Sequence, residues 1–405
     1  MRILLVHQNF PAQFKHLAPA LAKRGHEVVA LTAQRKAPAI PGVRIYSYRL
    51  GRGTTPKIHP WAESFESKVI FGEAAGRAAR ALNDKGFTPD LIYAHTGWGE
   101  TFALKAIWPK ARLVGLFEYY YHARGADVGF DPEFPDGDWT NELRVETKNA
   151  GALMAMQGVD AAVTPTEFQR STFPGWFQRR LRVIHDGIDT EAAAPNANTE
   201  LRIGNLNKVF RPGDEVVTFV SRTLEPMRGY HVFLRALPEI LRRRPQAHAV
   251  VIGADQERGY GRSPAAGKTW HQILLGEVRA RLDLSRVVFL GRVPYEALLG
   301  ALRVSAVHVY LTYPFVLSWS VLEALSTGCL VVGSDTAPVR EAIQDGKNGR
   351  LVDFFDAQGL ADAVVEGLAK PEKFRKMRKA ARDGVVKRYG LDACLPKQIA
   401  LLEKV

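Results

Sequence analysis

Two arginines six residues apart, Arg222 and Arg228, stand in the run Phe219-Val220-Ser221-Arg222-Thr223-Leu224-Glu225-Pro226-Met227-Arg228-Gly229. The apolar residues before them read as the end of a strand, and those after Gly229 as the start of a helix. Guanidinium forks at the C-terminal edge of a parallel strand suit a diphosphate, because they offer several N–H donors in a fixed plane. The plainer alternative is a surface loop with two ordinary arginines. A second segment, Pro314-Phe315-Val316-Leu317-Ser318-Trp319-Ser320-Val321-Leu322-Glu323-Ala324, also follows a strand and opens a helix. Its first backbone N–H groups would face an anion. Ser320 and Glu323 also have the spacing of a capping box, which would give Glu323 a purely local task. Val331–Glu341 and Asp345–Val352 complete the set, the latter as a turn into an extended segment.

These segments need elements that hold them. Arg2–His7 reads as a short strand, Ala12–Lys23 as a helix with Phe14, Leu17 and Leu21 on one face, and Val28–Thr32 as the next strand. Further strands are expected at Leu91–Tyr93, Leu113–Phe117 and Ala161–Val163. After polar, turn-rich stretches at Pro195–Thr199 and Arg211–Asp214, the rhythm restarts. Strands are expected at Val216–Ser221, Ala249–Gly253, Val287–Leu290, Ala306–Leu311 and Leu330–Ser334, and helices at Gly229–Arg242 and Val321–Thr327. The expectation is an α/β protein of two doubly wound parallel-sheet domains, 1–190 and 191–385. Residues 386–405 would form a helix that packs back on the first domain, through Leu395, Ile399 and Leu402.

Composition bounds the function. The 405 residues are 46% hydrophobic and 24% charged, which excludes wholesale disorder. No apolar run approaches the length of a membrane span, and the opening Met1–His7 reads as a strand rather than a signal peptide. Two cysteines, Cys329 and Cys394, rule out a disulfide framework and fit a cytoplasmic protein. The formal net charge is +13, and residues 1–60 hold ten bases against one acid, Glu27. Such a segment attracts phosphates or anionic lipid headgroups, unless it is simply a solvated basic face. Nucleic acid is a poorer partner, since the segment lacks interleaved aromatics and a recognition-helix pattern.

Some motifs carry little. Gly261 to Gly267-Lys268-Thr269 has five residues between its glycines where a phosphate-binding loop has four, and follows no strand directly. Asp136-Gly137-Asp138 imitates a metal-binding pair, but lies in a Pro/Gly-rich loop. There is no zinc spacing and no Gly-x-Gly-x-x-Gly after the first strand.

Taken in order, the segments resemble a retaining glycosyltransferase of family 4, with the GT-B architecture of two Rossmann-like domains facing a cleft. Val183-Ile184-His185-Asp186-Gly187-Ile188-Asp189 is similar to that family's junction segment. Val287–Val293 is similar to the strand and turn that meet the nucleotide base, and Leu322-Glu323-Ala324 with Gly328 to the core of its donor motif. The resemblance implies that Arg222 and Arg228 grip the diphosphate of a nucleotide-sugar and that Glu323 holds the ribose hydroxyls. It implies that the main chain near Gly291, Arg292 and Val293 meets the base, and that backbone N–H groups of Leu317, Ser318, Trp319 and Ser320 meet phosphate oxygens. Gly253 would line the crevice. His95 and Glu118, past strand ends, would face the sugar and the acceptor, with Asn9, Phe10 and His122 on the acceptor side.

The resemblance has departures. Phe315 stands where the family has a glutamate for donor-sugar hydroxyls, Gln8–Gln13 replaces a glycine-rich opening loop, and Glu118 stands where a histidine is common, with His122 nearby. The expected function is transfer of a sugar from a nucleotide-diphosphate sugar, of the UDP or GDP type, to an acceptor hydroxyl with retention. The acceptor would be a glycan, a lipid-linked molecule or a protein, and an anionic membrane surface on the cytoplasmic side is the place the basic segment suggests. Two guanidiniums and a helix N-terminus can stabilise the departing diphosphate, so no metal is expected to be required. The alternative is a catalytically silent nucleotide-sugar binder or regulatory protein of the same fold, motivated by Phe315. A phosphorylase of the same architecture would need a cofactor lysine motif, which is not visible.

Overall fold

The computed structural model describes residues 1–135, 139–204 and 208–405. The chain divides into two compact units. The first comprises Met1–Val128, Gly137–Gly187 and Leu391–Val405; the second comprises Gly129–Asp136 and Ile188–Gly390.

The first unit is built on seven parallel strands: β1 (Arg2–Val6), β2 (Glu27–Thr32), β3 (Val43–Ser47), β4 (Leu91–His95), β5 (Arg112–Leu116), β6 (Ala161–Thr164) and β7 (Leu181–Val183). Their order is β3-β2-β1-β4-β5-β6-β7, so the direction of progression reverses between β1 and β4. Register places Ile3 beside Val28 on one side and beside Leu91 on the other. Ile3, Leu4, Leu5 and Val6 are all fully buried, which is why this strand reads as an unbroken apolar run rather than an alternation. The expected helix Ala12–Lys23 is two pieces, a 3-10 turn at Ala12–Phe14 and a helix at Leu17–Lys23. Pro19 is the reason. It has no N–H to bond back to Lys15, so the helix begins where Pro19 falls in the first turn. Phe14, Leu17 and Leu21 nonetheless share one core with Ile399 and Leu402 of the last helix, Leu391–Lys404.

The second unit carries an antiparallel pair, β8 (Leu201–Ile203) and β9 (Lys208–Phe210). It also carries a six-stranded parallel sheet of β10 (Val216–Thr223), β11 (His248–Ala254), β12 (Val287–Gly291), β13 (Val307–Tyr310), β14 (Leu330–Ser334) and β15 (Arg350–Val352). The order is β12-β11-β10-β13-β14-β15, and the reversal lies between β10 and β13. The helix Trp319–Thr327 is buried for most of its length, and joins Leu322, Val321 and Leu325 to the sheet's core.

The domain expectation differs from the structure at one internal point. Residues 129–136, placed by sequence in the first half, belong to the second unit. Asp131 explains it. Its carboxylate, 2% exposed, lies 3.1 Å from His231 Nε2 and accepts a hydrogen bond from Tyr313 Oη at 2.9 Å. Glu133 takes a two-pronged bond from Arg235 at 2.7 and 2.6 Å, and Phe130 packs on Phe354 and Phe355, ring centroids 5.3 Å away. A polar, Pro/Gly-rich loop gives no local sign of such a long-range anchor. The boundary between the main blocks falls at Gly187/Ile188, and the second unit runs to Gly390.

Candidate functional site

In an open parallel sheet, ligand-contacting residues gather past the strand C-termini where the strand order reverses. In the second unit that point lies between β10 and β13, and both predicted arginines are there. Arg222 is in the last residues of β10; Arg228 follows on the 3-10 turn Pro226–Arg228. Arg228 is 8% exposed. Its Nη1 donates to Thr312 Oγ1 at 2.9 Å and to the carbonyl of Val316 at 3.1 Å, both beyond the end of β13. Arg222 is exposed and donates through Nη1 to Tyr260 Oη at 2.9 Å. The two guanidinium carbons lie 5.4 and 5.5 Å from the centroid of the Tyr260 ring. Phe315, 5% exposed, sits 5.6 Å from that ring and 5.5 Å from the Arg228 guanidinium. Between the arginines in sequence, Glu225 is 1% exposed and accepts from the amides of Tyr260 at 3.1 Å and Gly261 at 3.0 Å. Burial pushes its carboxyl above the usual range, against those bonds and the nearby arginines.

Glu323 is buried, and Tyr295 Oη donates to its Oε1 at 2.9 Å. The capping box with Ser320 does not form. The helix starts at Trp319 with Ser318 as its cap, whose hydroxyl accepts from the Ser320 amide, so Glu323 falls beyond the first turn and cannot reach back. The expectation of unengaged amides over Leu317–Ser320 needs the same correction: the Ser318 amide donates to Tyr310 Oη at 2.8 Å. Leu317 and Trp319 turn their side chains to the core. Gly253 lies within β11. A Cβ there would come within 2.8 Å of the Ser221 carbonyl and 2.7 Å of Leu224, so the chain's own packing already demands glycine. Arg292 donates to Gln256 Oε1 at 2.7 Å, and Gln256 to Thr223 Oγ1 at 3.1 Å, a link back to the end of β10; Val293 packs against the core.

In the first unit the reversal lies between β1 and β4. His7 follows β1, His95 ends β4 and Glu118 follows β5. His95, 2% exposed, has its Nε2 3.1 Å from Glu118 Oε2. Its Nδ1 accepts from the Gly97 amide at 3.1 Å, which places the ring proton on Nε2, toward Glu118. Gln13 donates to the other carboxylate oxygen at 2.5 Å, and Gln169 to the Glu118 carbonyl at 2.7 Å. Burial raises the Glu118 carboxyl, but His95 and Gln13 outweigh it and hold it below the usual range. The His95 ring stacks on Trp98 at 4.2 Å and meets His7 edge-on at 5.0 Å. His7 is 1% exposed, accepts from the Asn9 amide at 2.9 Å, and is pushed by burial down to about 3. The result is a carboxylate held below the usual range between one amide donor and one imidazole, able to accept from hydroxyls or face developing positive charge.

One acceptor-side expectation fails on geometry. Phe10 is fully buried in the core with Phe14 and Leu17. His122 is half-buried and has its Nε2 2.6 Å from the Thr172 carbonyl at the end of the helix Glu167–Thr172, which engages one of its two ring nitrogens. Of the three adjacent tyrosines, Tyr120 packs on the core, while Tyr119 donates to Asp127 at 2.9 Å. Residues 136–138, the Asp-Gly-Asp segment, lie outside the described residues. Thr269 caps the helix Trp270–Val278 through a reciprocal bond with Gln272, so the Gly-Lys-Thr stretch serves a helix start. Asp131, Glu133 and His231 bring ligating atoms within 4.8 Å of one another, but Tyr313 and Arg235 already bond the two carboxylates. In the basic segment, Arg2 and Arg44 both pair with Glu27, Arg24 with Glu403 and Arg52 with Glu66. Lys23, Arg35, Lys36, Arg49 and Lys57 are exposed, without an ion pair among the described residues. No helix of the described residues is long and apolar enough to cross a membrane.

Sequence reasoning missed Thr312, Tyr260, Glu225 and Tyr295 in one unit and His7, Gln13 and Trp98 in the other. Thr312 was within reach, since it follows a strand at the reversal. Tyr260 had no signal, standing in a polar loop.

Comparison with known proteins adds family evidence. The model of the glycosyl transferase family 4 group matches residues 24–193, and that of glycosyl transferases group 1 matches residues 205–384. A D-inositol 3-phosphate glycosyltransferase of Corynebacterium jeikeium is 33% identical over 187 residues, 45% of this chain and 42% of that protein. A counterpart from Nocardia farcinica is 28% identical, so the match spans about two fifths of these relatives' length. Glycogen synthase of Mycobacterium tuberculosis is 23% identical over 94% of this chain and 89% of its own. Sucrose-phosphate synthase from Thermosynechococcus elongatus has a TM-score of 0.74 at 20% identity, covering 100% of this chain and 98% of its own. Anabaena HepE, solved with UDP and glucose, has a TM-score of 0.67 at 16% identity with both chains fully covered. With both halves matched in order and the two parallel sheets in place, the chain belongs to the family 4-type glycosyltransferases and has the GT-B fold.

Proposed function

We propose that the protein transfers a sugar from a nucleoside-diphosphate sugar to an acceptor hydroxyl, with retention at the anomeric carbon and without a required metal ion. The observation that carries this reading is the convergence of Arg222 and Arg228 on one ring, past the strand ends where the order of the second sheet reverses. As the glycosidic bond breaks, negative charge gathers on the leaving diphosphate. Two fixed guanidiniums stabilise that charge more in the transition state than in the ground state. Glu323, oriented by Tyr295, binds the ribose hydroxyls, and the turn at Arg292 and Val293 meets the base. In the first unit, ionised Glu118 receives hydroxyls of the sugar or the acceptor, with His95 fixing its direction. In a retaining front-face attack, the leaving phosphate oxygen takes the proton of the incoming hydroxyl, so no protein base is needed.

A donor of the UDP or GDP type is supported by the relatives: HepE was solved with UDP-glucose, and a Mycolicibacterium smegmatis relative is named a GDP-mannose-dependent phosphatidylinositol monomannoside mannosyltransferase. The latter also supports a lipid-linked acceptor, and Arg35, Lys36 and Arg49, exposed and without an ion pair among the described residues, would attract the anionic headgroups of a membrane surface, on its cytoplasmic side in this reading. The deciding experiment is a thermal-shift screen against UDP-, GDP- and ADP-sugars. A donor at a hundred times its dissociation constant adds about 2.7 kcal/mol. Incubating the best stabiliser with candidate acceptors then separates a transferase from a silent binder, which stabilises but never turns over.

A further inference from the structure

The arginine pair shares a third residue. Tyr260, 46% exposed, accepts from Arg222 through its hydroxyl and turns its ring to both guanidiniums. Because that oxygen already accepts, its own hydrogen remains to donate, and a phosphate oxygen is an acceptor-only partner. The loop that carries Tyr260 is fastened from below. Glu225, on the turn between the two arginines, binds the Tyr260 and Gly261 amides, one with each carboxylate oxygen. Gly259 lets it in: a Cβ at that position would lie 2.1 Å from Glu225 Oε2 and 2.4 Å from its carboxyl carbon. The segment that supplies both cations therefore also supplies the carboxyl group that anchors the residue covering them.

We propose that Tyr260 is a binding residue of the nucleoside-diphosphate site, holding Arg222 and Arg228 side by side and donating its hydroxyl to a phosphate oxygen, with Glu225 and Gly259 as positioning residues that act through it. The inference rests on the reading of the arginine pair given under the proposed function. Its physical basis is preorganisation. Arg222 is exposed, and a long side chain without an anchor must be ordered each time a ligand binds, whereas one already hydrogen-bonded and stacked loses less freedom.

The test is calorimetric titration of the full chain with UDP, GDP and ADP, and with UMP as the probe lacking one phosphate. Tyr260→Phe keeps the ring and removes the hydroxyl. It should weaken the preferred diphosphate by about five- to tenfold, the worth of one hydrogen bond, and shrink the preference for diphosphate over monophosphate. Gly259→Ala should weaken it similarly without touching ligand, and Glu225→Ala added to it should cause no further loss. A merely loosened fold would lower both affinities together and leave the preference intact, which overturns the proposal. So does wild-type diphosphate affinity in Tyr260→Phe and Gly259→Ala while Arg222→Ala has lost it; the proposed function then stands without this inference. If wild type binds none of the diphosphates, or if Arg222→Ala and Arg228→Ala bind as wild type does, the diphosphate reading itself falls. Tyr260→Phe alters a half-exposed side chain by one atom, so the test survives if Gly259→Ala fails to fold.

Discussion

The Arg228 guanidinium reaches from the turn after β10 to the hydroxyl of Thr312 past the end of β13, 2.9 Å away. The two strands are hydrogen-bonded neighbours that run on to opposite sides of the sheet, so this bond bridges the reversal itself. Arg228 is thus clamped before any ligand arrives. Replacing Arg228 or Arg222 by Ala should lower turnover by about a hundred- to thousand-fold, or roughly 2.7–4 kcal/mol of transition-state stabilisation. Arg228→Lys should recover much of the loss, because a single nitrogen, Nη1, makes both bonds, to Thr312 and Val316, and an ammonium keeps the charge with three donors. Steady-state rates with a saturating donor would measure both; near wild-type turnover in Arg222→Ala defeats the assignment.

In the proposed mechanism the two arginines stabilise the departing diphosphate, and no divalent cation is required. Turnover should persist in excess chelator and gain nothing from added magnesium or manganese. Loss of activity on chelation, restored by one metal, would show that a cation shares the diphosphate.

Glu118 accepts from Gln13 and lies 3.1 Å from His95 Nε2, and the ionised form is the one this pair favours. Glu118→Gln keeps the shape and removes the charge, and one of the two neighbours then meets an amide N–H. Turnover should fall at least about tenfold, while diphosphate affinity, proposed for the second unit, should stay within about twofold. Equal losses in both would show a general disturbance instead.

Acid should destabilise the protein through buried histidines. Burial pushes His308 down to about 3, and its Nδ1 lies 2.8 Å from Thr218 Oγ1 inside the β10–β13 pair. Between the unfolded value of 6.5 and about 3, the unfolded chain binds a proton that the folded chain does not. Stability therefore rises with pH across that window and is lost as pH falls through it. At pH 5 the His308 contribution is on the order of 2 kcal/mol. Melting temperatures of wild type and His308→Asn between pH 7 and 5 should converge as the pH drops, even if the variant starts lower. Parallel curves would assign the acid sensitivity to other groups.

The legible parts of the molecule were those governed by local pattern. Strands such as Ile3–Val6 and Val216–Val220 are buried on both faces, so their apolar runs stand out. Arg222, His95 and Glu118 could be placed at strand ends because a strand's end is visible where the apolar run stops. β3 was missed because its residues are half-buried or exposed, as suits an edge strand. Phe10 was misjudged because a loop position between strand and helix looked exposed, whereas the chain folds it inward beneath Phe14 and Leu17. The fastening of Tyr260 by Glu225 spans 35 residues, and Tyr295 on Glu323 spans 28, distances over which no periodicity links one residue to another.

The excursion of residues 129–136 into the second unit means that the backbone passes from one unit to the other four times, at Val128, Asp136, Gly187 and Gly390. Severing the chain at Gly187 would leave a first fragment carrying Asp131 and Phe130 with nothing to bury them. It would leave a second fragment dragging the helix Leu391–Lys404 away from the core that Ile399 and Leu402 complete. Swapping halves between relatives would therefore fail at a single splice, and an exchange that respects all four passages is the one expected to give a soluble hybrid.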